Sequence, residues 1–151
     1  DLANKLREKL LTNKLVTVVD LHSFTNQRLP GELEESKPDF CIGTDNAHTP
    51  PHFRAYFVPA LEDLGYQVSV NHPFSGSFVP QPLYQKEFRV RSIMLEVNKR
   101  LYMRPIPQLF LTHVPSSIEA AEYLCNSLLD HQKITTLRKQ ITSILSGLDN
   151  L

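Results

Sequence analysis

Apolar residues recur with two different periods along this chain, and the switches between them mark its elements. Leu2, Leu6 and Leu10 stand at i, i+4, i+8 among lysines and arginines. That spacing predicts an amphipathic helix with one buried stripe, ended near Asn13. The next run, Leu15-Val16-Thr17-Val18-Val19-Asp20-Leu21, predicts a strand. Residues 25–39 are polar and carry Pro30-Gly31 and Lys37-Pro38, the composition of a long loop. Phe40–Gly43 reads as a short strand end. Thr49-Pro50-Pro51 opens a second helix, because proline is accepted in a first turn where its missing donor does no harm. Phe53, Tyr56, Phe57, Ala60, Leu61 and Leu64 supply its apolar face and Gly65 its C-terminal cap, while Pro59 is expected to kink or divide it. Tyr66–Val70 alternates as a strand does, and Asn71–Ser77 reads as a loop. Ile93, Met94, Leu95 and Val97 then form the near-continuous apolar run of a strand covered on both faces.

From Ser116 onward the pattern is helical. Ile118, Ala121, Leu124, Cys125, Leu128 and Leu129 make one stripe, and Ile134, Leu137, Ile141, Ile144, Leu145 and Leu148 a second, interrupted at Gly147. Strands interleaved with helices early and two helices late point to a layered α/β domain with a helical C-terminal extension. At 151 residues the chain is one domain's worth. Sixteen basic and sixteen acidic side chains cancel, which removes the electrostatic case for nucleic acid or an anionic membrane. No apolar run approaches a spanning helix, and no signal-peptide layout opens the sequence. Cys41 and Cys125 are far apart in sequence and read as buried free thiols of a cytoplasmic protein.

Against this frame Glu96 is the anomaly. A carboxylate inside an apolar strand costs several kcal/mol, roughly that of a lost buried hydrogen bond or more, unless it is paired or bound. General-base work is the most direct reason to keep it. The first strand offers a match: it runs straight into His22, with Asp20 two residues earlier on the same face. Two strands that end in proton-handling residues suggest one crevice at a sheet edge. Taken alone, His22 reads first as a structural or loop histidine, since one histidine makes no metal site. Arg89 and Arg91 alternate before Glu96, and one of them could grip a carboxylate with its planar fork. Asn71, Ser75, Gly76 and Ser77 form a small polar loop able to approach a substrate or simply to connect two elements. His48 and His52 read as surface or helix-cap residues, and Asp45 as turn chemistry.

The order of these blocks narrows the choice. Asp20-Leu21-His22-Ser23-Phe24 comes first, then Pro38-Asp39-Phe40-Cys41-Ile42-Gly43-Thr44-Asp45 with His48-Thr49-Pro50. Gly65-Tyr66-x-Val68 and Asn71-x-Pro73-Phe74-x-Gly76-x-Phe78-Val79-Pro80 follow. Arg89-Val90-x-Ser92-Ile93-Met94-Leu95-Glu96-Val97-Asn98 and Leu101-Tyr102-Met103 complete the set. Over residues 20–103 this succession closely resembles the N-formylglutamate amidohydrolase family; 104–151 carry no motif of it.

The resemblance implies a zinc-dependent hydrolase with a fold similar to the zinc carboxypeptidases. The expected architecture is a layered mixed sheet with flanking helices, partial here, in residues 1–103, with a helical extension of 104–151 packed on it. It implies that His22 is a metal ligand and Glu96 the general base. Arg89 and the loop bearing Asn71, Ser75 and Gly76 would belong to the substrate pocket. The reaction would be hydrolysis of an N-formyl or related N-acyl amide of an acidic amino acid, so the partner is a small molecule. The family's other metal ligands lie around an N-terminal Pro-His block followed by an acidic residue, and residues 1–19 match no such block. The chain is therefore expected to be a C-terminal portion, inactive and weak in zinc binding by itself, and open to self-association or to pairing with a missing N-terminal portion. The rival reading is a catalytically degenerate relative acting as a binding or interaction module through its 116–148 helices. A serine hydrolase built on Ser23 lacks the Gly-x-Ser-x-Gly elbow.

Overall fold

A computed structural model of the chain describes residues 1–25, 37–105 and 117–150. Parts of the expected 25–39 loop and of the C-terminal extension fall on 26–36 and 106–116, outside the described residues. The described chain divides into two units, Asp1–Asn98 and Lys99–Asn150.

The first unit holds helix α1 (Leu2–Thr12), strands β1 (Val16–Phe24) and β2 (Phe40–Gly43), helix α2 (Pro51–Glu62), and strands β3 (Val68–Val70) and β4 (Val90–Asn98). The sheet order is β1-β4-β2-β3. β1 runs parallel to β4, β2 antiparallel to β4, and β3 parallel to β2, so the sheet is mixed. The near-continuous apolar run that predicted a doubly covered strand is now explained. β4 lies between two neighbours, and from Ser92 to Asn98 every residue is buried.

Successive residues of a strand face opposite ways. Arg91, Ile93, Leu95 and Val97 share one face, and Arg91 lies over the Phe53 ring, 4.9 Å from its centroid, which places α2 on that side. Phe53, Phe57 and Leu61, spaced one turn apart, are almost completely buried. Each contributes about 1.5–3 kcal/mol of apolar burial. Pro59 lies inside α2 without dividing it, so the second of the two outcomes its position suggested does not occur. It removes one backbone hydrogen bond near the C-terminus, while Phe57 and Leu61 on either side stay on the buried stripe. Gly65 ends this region at φ +86°, the left-handed cap its position predicted.

The opposite face of β4 carries Val90, Ser92, Met94, Glu96 and Asn98. At its beginning, Val90 packs with Ala3, Leu6 and Leu10 of α1 and with Val79 and Leu83, flanked by Val16 and Val18. α1 is capped by the Asp1 carboxylate, which accepts from the Asn4 amide at 2.8 Å.

The second unit begins with a short 3₁₀ turn, Lys99–Leu101, and holds α3 (Ile118–Leu128) and α4 (His131–Ser146). Ser117 and Asp130 cap these helices through the Ala120 and Lys133 amides. Met103 bridges to Leu129, and the Arg104 amide donates to the Leu128 carbonyl at 2.7 Å. α3 leaves Ile118 and Tyr123 exposed. No helix among the described residues is long and apolar enough to cross a membrane.

Candidate functional site

Strand register brings the two anomalous residues together. His22 of β1 pairs directly with Glu96 of β4, and Cys41 of β2 faces Glu96 from the other side. Ser69 of β3 pairs with Cys41. Paired residues of neighbouring strands share a face, so His22, Glu96, Cys41 and Ser69 form one row across the sheet. His22 and Glu96 lie on adjacent strands only ~4.8 Å apart, near the carboxyl ends of two parallel strands, where open α/β sheets present their ligand crevices.

Their surroundings differ sharply. The His22 side chain is half exposed, and one ring nitrogen, Nε2, lies 2.8 Å from Asp20 Oδ1. The strand's two-residue period predicted that contact. Glu96 is only 7% exposed, and its Oε2 has no hydrogen-bond partner among the described residues. Burial pushes the Glu96 carboxyl above its ordinary pKa, His22 draws it back down, and the Asp20 charge raises it again. Those effects fit a row in which all three groups feel one another. A carboxyl with an unmet oxygen and a raised pKa, open to a histidine neighbour, is equipped to accept a proton.

The loop after β3 closes over this row. Cys41 Sγ donates to the carbonyls of His72 and Phe74, both at 3.1 Å, and Ser69 Oγ donates to the His72 carbonyl. The Phe74 ring lies 5.3 Å from that of Phe24 on β1. Phe74 thus touches β1 and β2 while β4 lies between them, so the loop bridges β4 over the stretch from Glu96 to Asn98. This accounts for the burial of Glu96. Gly43 makes the close approach possible, because a Cβ there would collide with the Gly76 carbonyl and with Met94. Sequence reasoning missed Cys41 and Gly43; their signal was a thiol and a glycine on alternate positions of a strand facing a loop with its own glycine.

Of the expected pocket residues, Asn71 and Gly76 lie in this covering loop. Asn71 anchors it: its amide donates to the Ile42 carbonyl, and its side chain accepts from the Thr44 amide at 2.8 Å and donates to Thr44 Oγ1 at 2.7 Å. Its φ of +56° is one that asparagine tolerates. Ser75 is exposed on the same loop. The structure does not bring Arg89 to the site. It precedes β4, seven residues and roughly 23 Å from Glu96 at strand spacing, and its fork is engaged by Glu87 at 2.8 and 2.6 Å. Arg91 lies on the face of α2, away from Glu96.

His48 also departs from expectation, being 2% exposed instead of a surface or cap residue. Its Nδ1 lies 2.8 Å from the Val90 carbonyl, and its Nε2 accepts from the Gln85 amide at 2.9 Å. With both nitrogens satisfied it pins the beginning of β4. Thr49 donates to the Ser92 carbonyl beside it, and Asp45 accepts from the Ala47 and His48 amides, the turn role its position predicted. Among the described residues no group of three or more His, Cys, Asp or Glu converges where a metal ion could bind. Both cysteines are free; Cys41 is buried as expected, whereas Cys125, on α3, is exposed and departs from that expectation.

A mixed sheet flanked by helices, with a carboxylate–histidine pair near the ends of two parallel strands, defines a layered α/β protein. Residues 1–103 match the sequence model of N-formylglutamate amidohydrolase, and the chain belongs to that family. Its fold is similar to the crystal structure of N-formylglutamate amidohydrolase from Ralstonia eutropha JMP134. The TM-score is 0.62 at 21% identity, over 91% of this chain and 45% of that one. The chain therefore spans less than half of that neighbour's length. No curated protein matches it.

Proposed function

We propose that this chain carries the proton-transfer part of an amidohydrolase that cleaves an N-formyl, or related N-acyl, amide of an acidic amino acid. The observation that carries this reading is the buried Glu96, with an unmet oxygen, beside a histidine held by a carboxylate. Family membership supports the substrate class. In the reaction water adds to the formyl carbon, the C–N bond breaks, and formate and the free amino acid leave. Glu96 takes a proton from the attacking water and delivers it to the departing nitrogen, a role worth about 10²–10⁴-fold in rate. Its raised pKa moves it towards the neutral range where such a base works best. Asp20 fixes the His22 ring, and the loop through Phe74 excludes water from above.

Zinc belongs to the same proposal. His22 fits one corner of such a site, since metal-binding imidazoles commonly engage a carboxylate through their other nitrogen. A catalytic zinc takes about three protein ligands, so the remaining donors would come from outside the described residues. Bound zinc would polarise the amide carbonyl and acidify a water. The proposal extends to a zinc-carboxypeptidase-like sheet, a pocket edge formed by Asn71, Ser75 and Gly76, a cytoplasmic location, and association with itself or a complementary chain that completes the site.

The test sets binding beside turnover. The chain should bind N-formylglutamate, followed by NMR titration. Formate release is expected when the remaining zinc ligands are supplied, and there Glu96→Gln should lower kcat by about 10²–10⁴-fold with KM changed far less. A chain that binds no N-formyl amide would instead support the interaction-module reading.

A further inference from the structure

We infer that Phe74, backed by Phe24, restricts the acyl group of the substrate to formyl; this rests on the reading above of an N-formyl or related N-acyl amide. The face that carries Glu96 is polar at Asp20 and His22 and turns apolar at Phe24, which ends β1 and pairs with Asn98. Phe24 is 6% exposed, and its ring lies 5.3 Å from that of Phe74, tilted by 57°. The two halves of the substrate differ in the same sense. The amino-acid half carries carboxylates, which lose their hydration against aromatic rings and gain no donor in return. The acyl half beyond the carbonyl is a hydrogen or an alkyl group. It is the half that an apolar wall accepts.

Position and rigidity complete the argument. A carbonyl carbon attacked by a water that Glu96 deprotonates sits on the order of 6 Å from the carboxyl oxygen. Phe24 is two residues past His22, about 7 Å along β1, so the aromatic pair stands within reach of the group attached to that carbon. The Phe74 carbonyl accepts from Cys41 on β2, opposite Glu96, and its ring meets Phe24 on β1, opposite Asn98. This one residue therefore crosses β4 diagonally over the reacting position. The loop that carries it is fixed at both feet. Asn71 holds Thr44 through two hydrogen bonds, and Ser77 Oγ lies 2.6 Å from that of the fully buried Ser92. Beneath the loop Cys41 is completely buried and Glu96 is 7% exposed, which leaves little room above the carboxyl. A wall held in this way does not yield to a methyl group where it admits a hydrogen. A difference of one carbon in an apolar pocket is worth about 10–200-fold.

The experiment is an NMR titration of the chain with N-formylglutamate and with N-acetylglutamate, which carries a methyl where the first has the formyl hydrogen. The readout is the ratio of the two dissociation constants. The unaltered chain should favour N-formylglutamate by about tenfold or more, and Phe74→Ala should bring the ratio to within about threefold. Phe74→Leu, which keeps a shorter apolar side chain, should lower the ratio part of the way, and it carries the test if the alanine variant does not fold. An unaltered chain that binds both ligands equally overturns the inference and leaves the proposed function standing. So does a ratio that survives Phe74→Ala, including the case in which both ligands weaken together, because the ring would then only be propping the loop. Failure of the unaltered chain to bind either ligand overturns the proposed function and this inference together.

Discussion

The two ends of β4 are built to opposite specifications, and each is marked by a histidine. At the beginning, His48 is buried with both ring nitrogens engaged, and Thr49, Ser77 and Ser92 bond with one another around it. Near the other end, the His22 side chain is half exposed, with its Nε2 contact made to a carboxylate, and its neighbour Glu96 buries an oxygen that meets no donor among the described residues. Satisfied polar networks rigidify a fold, whereas a buried group left unmet is a cost that the rest of the structure must carry. β4 is thus flanked by two histidines, His48 at Val90 and His22 opposite Glu96, some six residues apart along the strand. Residue type alone does not separate them; the fate of their polar atoms does.

Substitutions at the two ends should separate just as clearly. The largest stability effect is expected for His48→Ala, which strands the Val90 carbonyl and the Gln85 amide and opens a cavity. A loss of about 2–4 kcal/mol is predicted by denaturant unfolding. His22→Ala should change stability by no more than about 0.5 kcal/mol, as surface substitutions usually do, yet reduce zinc uptake measured by elemental analysis. Gly43→Ala comes next. Its methyl would press the Gly76 carbonyl and Met94, so it should cost about 1–3 kcal/mol and shift the amide resonances of residues 74–76. Arg89→Ala should be smallest, within about 0.5 kcal/mol and without effect on N-formylglutamate binding, because Arg89 is itself exposed and pairs, among the described residues, only with Glu87 of the same loop. Glu87, held down to about 2 by that arginine, contributes stability present above its ordinary pKa of 4.5 and lost as pH falls towards about 2.

Much of the site was legible because strand periodicity is rigid. The positions of Asp20 and His22 on one face, and the conflict between Glu96 and its apolar neighbours, followed from the sequence and reappear in the register. The helix from Pro51 and its cap at Gly65 were readable from local chemistry. What escaped depended on pairing between distant segments. That Cys41 would lie opposite Glu96, or that the Phe74 loop would cover it, needs the β2–β4 register, which no local pattern encodes. His48 looked like a surface histidine because its partners, Val90 and Gln85, lie about forty residues away. Arg89 was misplaced for the same reason in reverse: it is close to Glu96 in sequence but separated by the length of a strand. Pro59 stayed within its helix because tertiary burial of Phe57 and Leu61 outweighs one missing hydrogen bond.

The central claim is that Glu96 is kept for chemistry at the expense of stability, and the thermal stability of Glu96→Gln against pH, in metal-free protein, tests it most directly. A carboxyl whose folded pKa is raised stabilises the fold while protonated and loses that contribution as pH rises through the raised value. The amide never ionises. The account therefore predicts that Glu96→Gln matches the unaltered chain at pH below the ordinary carboxyl range and is the more stable of the two at neutral pH. A variant that is less stable at neutral pH would mean that the Glu96 carboxylate has a structural partner, and would contradict the account.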